Sequence, residues 1–545
     1  MVLWVTMDAA PNMSDYRKEY GTFSLPVPSL FSFPLDVFDR WGDRCALFWT
    51  DGAAERKFTF DELKVLSSKG AGAFRTLGVK RGDKVLVMLP NIPAWWEIML
   101  ALMRINALPI PATTLLSPKD IAYRLSATDI KAVIATEESA PKVEEAMSAV
   151  ETPPLLLSIG KRPGWYDYLR VREKAVAFEG ERAPSSDPAL IYFTSGTTGQ
   201  PKMVLHTQAS YPLAHMLTGA YWLDLRPGDL HWNLSDTGWA KAAWSSLFGP
   251  WHRGAAVFSL YRKGKFDAPV ILEAMQKYPV TTFCGPPTAY RMMVKEIQAA
   301  EQFSFRTLRH FVAAGEPLNS EVLELWKERT GRYIYDGYGQ TETVNVLANF
   351  RCLPVKPGSM GVPVPGFTVA VIDGSGVPVP AGTEGAIAIQ AAPVRPAGLF
   401  KEYLGNPEAT ARTLLGQWYM TGDRAYRDEE GYFWFVGRDD DIILSAGYRI
   451  GPFEIESILI EHPAVKESAV VASPDEVRGE VVKAFVVLTQ GYSPSDALAR
   501  ELQEFVKKST APYKYPRKIE FSADLPKTVS GKIKRKELKL REFGK

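Results

Sequence analysis

The chain has 545 residues, is 46% hydrophobic and 23% charged, and carries a formal net charge of +2. This length exceeds one ordinary hydrophobic core and implies several domains. The composition excludes a disordered chain, and near-neutrality gives no electrostatic case for a nucleic-acid partner.

The N-terminal run MVLWVTMDAAPNMSDYRKEYG lacks a basic leader followed by a long apolar core and contains acids early, so neither a signal nor a transit peptide is expected. The first strand–helix–strand pattern begins at Val85 to Leu89. It continues through Trp95, Trp96, Met99 and Leu102 to Leu108–Ile110. Pro90, Asn91, Pro93 and Glu97 interrupt this apolar stretch, so no membrane span is expected. Ile130–Ile134 is a further buried strand. Thr281–Cys284 leads through Gly285-Pro286-Pro287 into a helix carrying Tyr290, Met293 and Ile297. His310–Ala314 is strand-like. A helix capped by Asn319 or Ser320 follows, ends near Gly331, and leads to a strand from Tyr333. Such units imply parallel sheets covered by helices.

After about residue 380 the pattern changes. Gly385–Ile389 and Tyr432–Val436 suggest a small antiparallel sheet or barrel. The last hundred or so residues form a separate α/β pattern: helical Phe453–Ile460, strands Ala469–Ala472 and Val481–Leu488, and a capped helix from Ser493-Pro494-Ser495-Asp496. Cys45, Cys284 and Cys352 form neither a metal-ligand spacing nor a disulfide framework. A reducing cytoplasm is the expected compartment.

The strongest chemical signal is Thr194-Ser195-Gly196-Thr197-Thr198-Gly199-Gln200-Pro201-Lys202, after the apolar Leu190–Phe193. Hydroxyls and backbone N–H groups in such a loop suit phosphate, and glycines allow close approach to an anion. Pro201 before Lys202 departs from the Walker pattern.

Five more motifs follow in order: Ala314-Gly315-Glu316-Pro317; Tyr335-Asp336-Gly337-Tyr338-Gly339-Gln340-Thr341-Glu342-Thr343; Tyr419-Met420-Thr421-Gly422-Asp423; Gly437-Arg438-Asp439-Asp440-Asp441; and Pro526-Lys527-Thr528-Val529-Ser530-Gly531-Lys532. Together the six resemble the motifs of the adenylate-forming superfamily, which contains acyl-CoA synthetases, luciferases and peptide-synthetase adenylation domains. The resemblance covers nearly the whole chain. The spelling Ser235-Asp236-Thr237-Gly238-Trp239 is most similar to medium-chain acyl-CoA synthetases.

That resemblance implies an α/β fold. A large N-terminal domain (1–438) would hold two parallel-type α/β sheets and a small β-barrel-like subdomain. A hinge (439–441) centred on Asp440 would join it to a small mobile C-terminal α+β domain (442–545). It implies ATP, CoA and Mg2+, a small carboxylic acid as the remaining partner, and no nucleic acid or membrane span. Homo-oligomerisation stays open.

The implied nucleotide residues are Thr194, Ser195, Gly196, Thr197, Thr198, Gly199, Lys202, Gly315, Glu316, Pro317, Asp336, Gly337, Tyr338, Gln340, Thr341, Asp423, Arg438 and Arg449. Glu342 would hold the magnesium ion, Asp423 the ribose hydroxyls, and Thr341 the α-phosphate. Lys532 would bridge the attacking carboxylate and the α-phosphate, where two anions meet and a cation is needed. Ser445, Ala446, Gly447 and Tyr448 would form the pantetheine tunnel in a second domain pose. Trp239, Ala314 and Gly339 would line the acyl pocket. Gly339 stands where acetate enzymes carry tryptophan, which points to medium-chain, branched or aromatic acids. Lys241 departs from the small polar residue of acetate enzymes and has no assigned role. His206 is expected to be a structural hydrogen-bonding residue, since a carboxylate is already ionised and needs no base. Rival readings are a luciferase-like or amino-acid adenylating enzyme and a non-catalytic nucleotide-binding scaffold. Intact Glu342, Asp423 and Lys532 disfavour the scaffold.

Overall fold

Short apolar strands alternating with amphipathic helices build two sheets with parallel centres. The computed structural model describes residues 10–544 apart from 149, 151, 195–199, 265, 300–304, 446–447, 476–477, 512 and 529–531. The larger sheet has nine strands. Its six central strands run parallel in the spatial order Ile334–Tyr338, His310–Ala314, Thr282–Gly285, Leu230–Asn233, Ala256–Leu260 and Cys45–Thr50. Antiparallel pairs close both edges. The second sheet has five strands, all parallel, around Lys84–Met88 and Ile130–Thr136. Strands buried on both faces need apolar residues throughout. Lys84–Met88 and His310–Ala314 meet that need, with four of five and five of five residues buried.

Helix ends follow local chemistry. Pro93 opens Pro93–Arg104, where a missing N–H costs nothing. Gly331, at φ 70°, ends Ser320–Thr330 in the left-handed conformation.

A third sheet was not foreseen as such. Pro188–Thr194 and Lys202–Thr207 form an antiparallel hairpin, and Glu402–Tyr403 adds a third strand. The loop read from sequence as a phosphate loop therefore joins two strands of a hairpin. No helix follows it, in keeping with its departure from the Walker pattern.

Strands Val369–Ile372, Gly385–Gln390, Leu414–Leu415, Trp418–Arg427 and Phe433–Arg438 form an antiparallel sheet in the expected place. Beyond it lies the small C-terminal domain. Its five strands are flanked by helices Pro452–Glu461, Asp496–Ser509 and Arg535–Glu542. Its core of Ile455, Leu459, Val470, Ala484, Leu502 and Val506 is separate from the N-terminal cores. Ser495 caps Asp496–Ser509 by accepting from the Leu498 N–H. Leu498, Leu502 and Val506, at i, i+4 and i+8, face that core.

Three buried π-helical turns, Ala209–Leu213, Thr218–Trp222 and Trp244–Phe248, pack near the sheet centre. Their wider backbone pitch leaves no periodic sequence signal, but such turns often sit at functional sites.

Candidate active site

The four parallel strands Ile334–Tyr338, His310–Ala314, Thr282–Gly285 and Leu230–Asn233 end on one side of the sheet. The residues that follow them, Gly339, Gly315, Pro286 and Leu234, line a common cleft of about 3010 Å³. Crevices at the carboxyl ends of parallel strands are the usual ligand sites of such sheets. The cleft extends to the C-terminal domain, and Lys532 lines it together with Thr194, Lys202, Thr341, Glu342, Asp423 and Arg438. Gly315, Glu316, Pro317, Asp336, Gly337, Tyr338, Gln340, Trp239 and Ala314 also line it.

Ser195, Gly196, Thr197, Thr198, Gly199, Ala446 and Gly447 lie outside the described residues, as does the side chain of Arg449. Thr194 and Lys202, which bracket the loop read from sequence as a phosphate loop, face each other across the hairpin. The cleft's described lining does not include Ser445 or Tyr448. These two close the hairpin Ile443–Ser445/Tyr448–Ile450, where Tyr448 stacks on Tyr513 with ring centres 4.2 Å apart.

The turn Gly339–Thr343 is held from below. The Thr341 carbonyl accepts from the Tyr211 hydroxyl at 2.7 Å and meets His206 Nε2 at 2.7 Å. A carbonyl only accepts, so Nε2 carries the proton and Nδ1 accepts from the Ser210 hydroxyl at 2.9 Å. Burial pushes the His206 pKa down to about 3, which keeps the ring neutral. Its ring stacks on Tyr211 at 3.6 Å. Both lone pairs of the carbonyl are thereby used. This fixes the backbone that carries Thr341 and Glu342. The Trp244 indole N–H donates to the Tyr211 oxygen at 3.0 Å and extends the support.

Asp423 sits beside this turn, on the strand paired with that of Arg438. Its Oδ1 meets Arg438 Nε at 3.2 Å. Its Oδ2 accepts from the Tyr338 hydroxyl at 2.6 Å and from Gln340 Nε2 at 2.8 Å. Burial pushes the carboxyl pKa up, and Arg438 and the two donors oppose that rise. Arg438 is in turn held protonated by Asp423.

Glu342 Oε1 accepts from the Tyr403 hydroxyl at 2.7 Å, which leaves Oε2 without a protein partner among the described residues. No cluster of three or more metal-ligating side chains occurs among the described residues. A hard dication here would take one carboxylate and complete its shell from phosphate and water, a pattern that suits magnesium.

One residue departs from the sequence reading, and one that had no role gains a place. Gly339 does not leave a void. A Cβ there would lie 2.4 Å from the Val344 carbonyl oxygen and 2.6 Å from Trp244 Cη2. The volume expected to be open is filled by the Trp244 indole, and a side chain at 339 is excluded by backbone as well as by ring. Lys241 gains a place: its ammonium donates to the Ala314 carbonyl at 2.9 Å, and both residues line the cleft. Burial lowers its pKa. Sequence reasoning also missed Tyr211, Trp244 and Tyr403. Their partners lie 61 and 130 residues away or sit on a π-helical turn, so no local pattern marks them.

Residues 36–404 match the family model of the AMP-binding enzyme, and residues 454–532 match that of the AMP-binding enzyme C-terminal domain. The chain belongs to the AMP-binding enzyme family. Among relatives of this family it is 49% identical to the mouse (Mus musculus) mitochondrial acyl-coenzyme A synthetase ACSM3, over 98% of this chain and 94% of that protein. Its fold is similar to the anthranilate CoA ligase AuaEII in complex with anthranoyl-AMP, with a TM-score of 0.86 at 30% identity over 95% of this chain and 98% of that one. It is also similar to a benzoate CoA ligase from Burkholderia xenovorans LB400, with a TM-score of 0.82 at 30% identity over 94% and 100% of the two chains. One expectation is overturned. The ACSM3 and ACSM4 relatives are mitochondrial proteins, which points away from the cytoplasmic location inferred from cysteine usage. Unpaired cysteines report a reducing compartment but not which one. No described helix is long and apolar enough to cross a membrane.

Proposed function

We propose that this chain is an AMP-forming acyl-CoA synthetase acting on a medium-chain, branched or aromatic carboxylic acid. The observation that carries this reading is the convergence of Lys532, Thr341, Glu342, Asp423 and Arg438 on one cleft beside the phosphate-loop hairpin. A carboxylate oxygen of the acid attacks the α-phosphorus of ATP and pyrophosphate leaves. The CoA thiol then attacks the acyl carbon, and AMP leaves with the bridging oxygen.

Each residue has a task in this scheme. Lys532 offsets the repulsion between carboxylate and α-phosphate. Thr341 donates to the phosphate from a turn whose backbone is fixed by His206 and Tyr211. Asp423 and Arg438, already paired, present the ribose side with a carboxylate suited to a diol. Glu342 would hold Mg2+, which when bound neutralises charge on the phosphates. The Lys241 ammonium and the Trp244 indole shape the acyl side near Trp239, Ala314 and Gly339.

Domain alternation completes the scheme. Residues 1–438 would form the fixed body and 442–545 the mobile domain, with Asp440 as pivot inside the short helical turn Asp439–Asp441. The arrangement with Lys532 in the cleft suits adenylation. The 445–448 hairpin would enter to form the CoA tunnel in the other pose.

The test is a panel of acids, from acetate to octanoate with branched and aromatic members, assayed with ATP and CoA for thioester and AMP. Thioester formation favouring the larger acids over acetate is the expected result. A preference for acetate would overturn the substrate class, and ATP–pyrophosphate exchange without any thioester would favour another adenylating activity. In Asp440→Pro, which fixes φ near −65°, exchange should persist while thioester formation fails. Equal loss of both in a folded variant would count against the pivot.

A further inference from the structure

Strand Glu402–Tyr403 lies outside all six sequence motifs, yet it joins the two halves of the phosphate site. It pairs with the hairpin through Val204 opposite Tyr403 and Leu205 opposite Glu402. The same segment reaches the catalytic turn: the Phe400 N–H donates to the Glu342 carbonyl at 2.7 Å, and Leu399 bridges to Thr343. Its backbone is pinned again where the Tyr403 N–H donates to the Thr410 hydroxyl at 2.9 Å.

Tyr403 stands between two opposite charges. Its hydroxyl donates to Glu342 Oε1 at 2.7 Å, and its ring face carries the Lys202 ammonium 4.7 Å from the ring centre. The side chain is buried, and Phe400 packs against it with ring centres 4.9 Å apart. Lys202 makes no ion pair with any described residue, although a carboxylate lies on the other edge of the same ring. A direct Lys202–Glu342 pair would cancel the cation wanted by phosphate and the anion wanted by a metal ion. The phenol stands between the two and occupies one carboxylate oxygen, which leaves the other without a protein partner among the described residues at the cleft. The Tyr403 hydroxyl is the only possible donor in this contact, since an ionised carboxylate can only accept.

We infer that Tyr403 is a positioning residue that presents Glu342 to the metal–nucleotide complex and keeps Lys202 from neutralising it. This rests on the reading of Glu342 as the metal-binding carboxylate. Outer partners of metal ligands act in this way, by fixing the ligand's orientation and basicity.

Tyr403→Phe keeps the ring beneath Lys202 and removes only the hydroxyl, whereas Tyr403→Leu removes the spacer as well. The full-length protein would be titrated with Mn2+ in the presence of α,β-methylene-ATP, with free Mn2+ read by electron paramagnetic resonance. Nucleotide affinity without metal and melting temperature would be measured in parallel. Tyr403→Phe is expected to weaken Mn2+ in the ternary complex by roughly tenfold, with metal-free nucleotide affinity and melting temperature unchanged. Tyr403→Leu should weaken both metal and nucleotide. Glu342→Gln is the control that separates two failures. If Glu342→Gln loses Mn2+ but Tyr403→Phe binds it like wild type, the role of Tyr403 is overturned, whatever the melting temperature. If Glu342→Gln also binds Mn2+ like wild type, Glu342 is not the metal carboxylate and the inference falls with that reading.

Discussion

At position 339 the lack of a side chain is a packing requirement. The sequence comparison with acetate enzymes led to an open volume at this position, but the filling group, Trp244, comes from a π-helical turn 95 residues earlier. Its indole occupies the volume, and the Val344 carbonyl closes the remaining approach. Adding a methyl group there must displace the turn that carries Thr341 and Glu342, and overpacking of this kind costs about 1–3 kcal/mol. Gly339→Ala should therefore lower kcat/KM on every acid, by roughly thirtyfold for a mid-range cost. The ratio of hexanoate to butyrate should stay near the wild-type value. Specificity constants for both acids in both proteins decide the matter, and a changed ratio with preserved activity on the smaller acid would restore Gly339 as the depth gauge. His206 was legible for a different reason. A chemistry that needs no base leaves a buried histidine beside the site with a structural task, and its neutral ring bound to the Thr341 carbonyl fits that task.

At the scale of elements, what was legible is what has a period or a cap. Lys84–Met88, Pro93–Arg104, His310–Ala314 and Ser320–Thr330 all appear within a residue or two of their sequence signals. The helix Asp496–Ser509 does as well, since a capping serine and an i, i+4, i+8 apolar stripe are local properties. The elements that resisted are those whose stability is entirely tertiary. Glu402–Tyr403 is two residues long and exists because the hairpin offers it an edge. The π-helical turns have no amphipathic period, and Ala209–Leu213 even contains Pro212. Yet these elements carry Tyr403, Tyr211 and Trp244, which hold the Gly339–Thr343 turn. The motif residues were legible and their supports were not, because a motif is contiguous while its support is assembled from distant segments.

At the scale of the whole molecule, four of the six histidines, His206, His215, His231 and His310, are buried in the N-terminal domain. Burial lowers the pKa of each, to about 3 for His206 and His231 and to about 4 for His310. In the unfolded chain each would titrate near the ordinary 6.5. The unfolded state then binds more protons below that value. The stability of the neutral folded form is thus complete above pH 6.5 and is lost as pH falls toward the folded value. His231, whose two nitrogens meet the hydroxyls of Thr282 and Ser245 at 2.7 and 3.0 Å, isolates one such group. His231→Gln should make the plot of unfolding free energy against pH shallower by about 1.4 kcal/mol per pH unit between roughly pH 4 and 6. Denaturant titrations of both proteins across that window measure it, and parallel slopes would show that His231 is not buried neutral.

The two-domain organisation was legible from the separate α/β pattern of the last hundred or so residues and from the order of the six motifs. The location was not, because composition cannot distinguish one reducing compartment from another. The central claim is that a carboxylate oxygen forms a bond to the α-phosphorus of ATP and leaves with AMP. Supplying hexanoate labelled with 18O at both carboxyl oxygens, with ATP and CoA, tests it directly by mass spectrometry of the nucleotide. The expected result is one labelled oxygen in the phosphate of AMP and the other in the thioester carbonyl. Unlabelled AMP, or ADP with the label in inorganic phosphate, would contradict it.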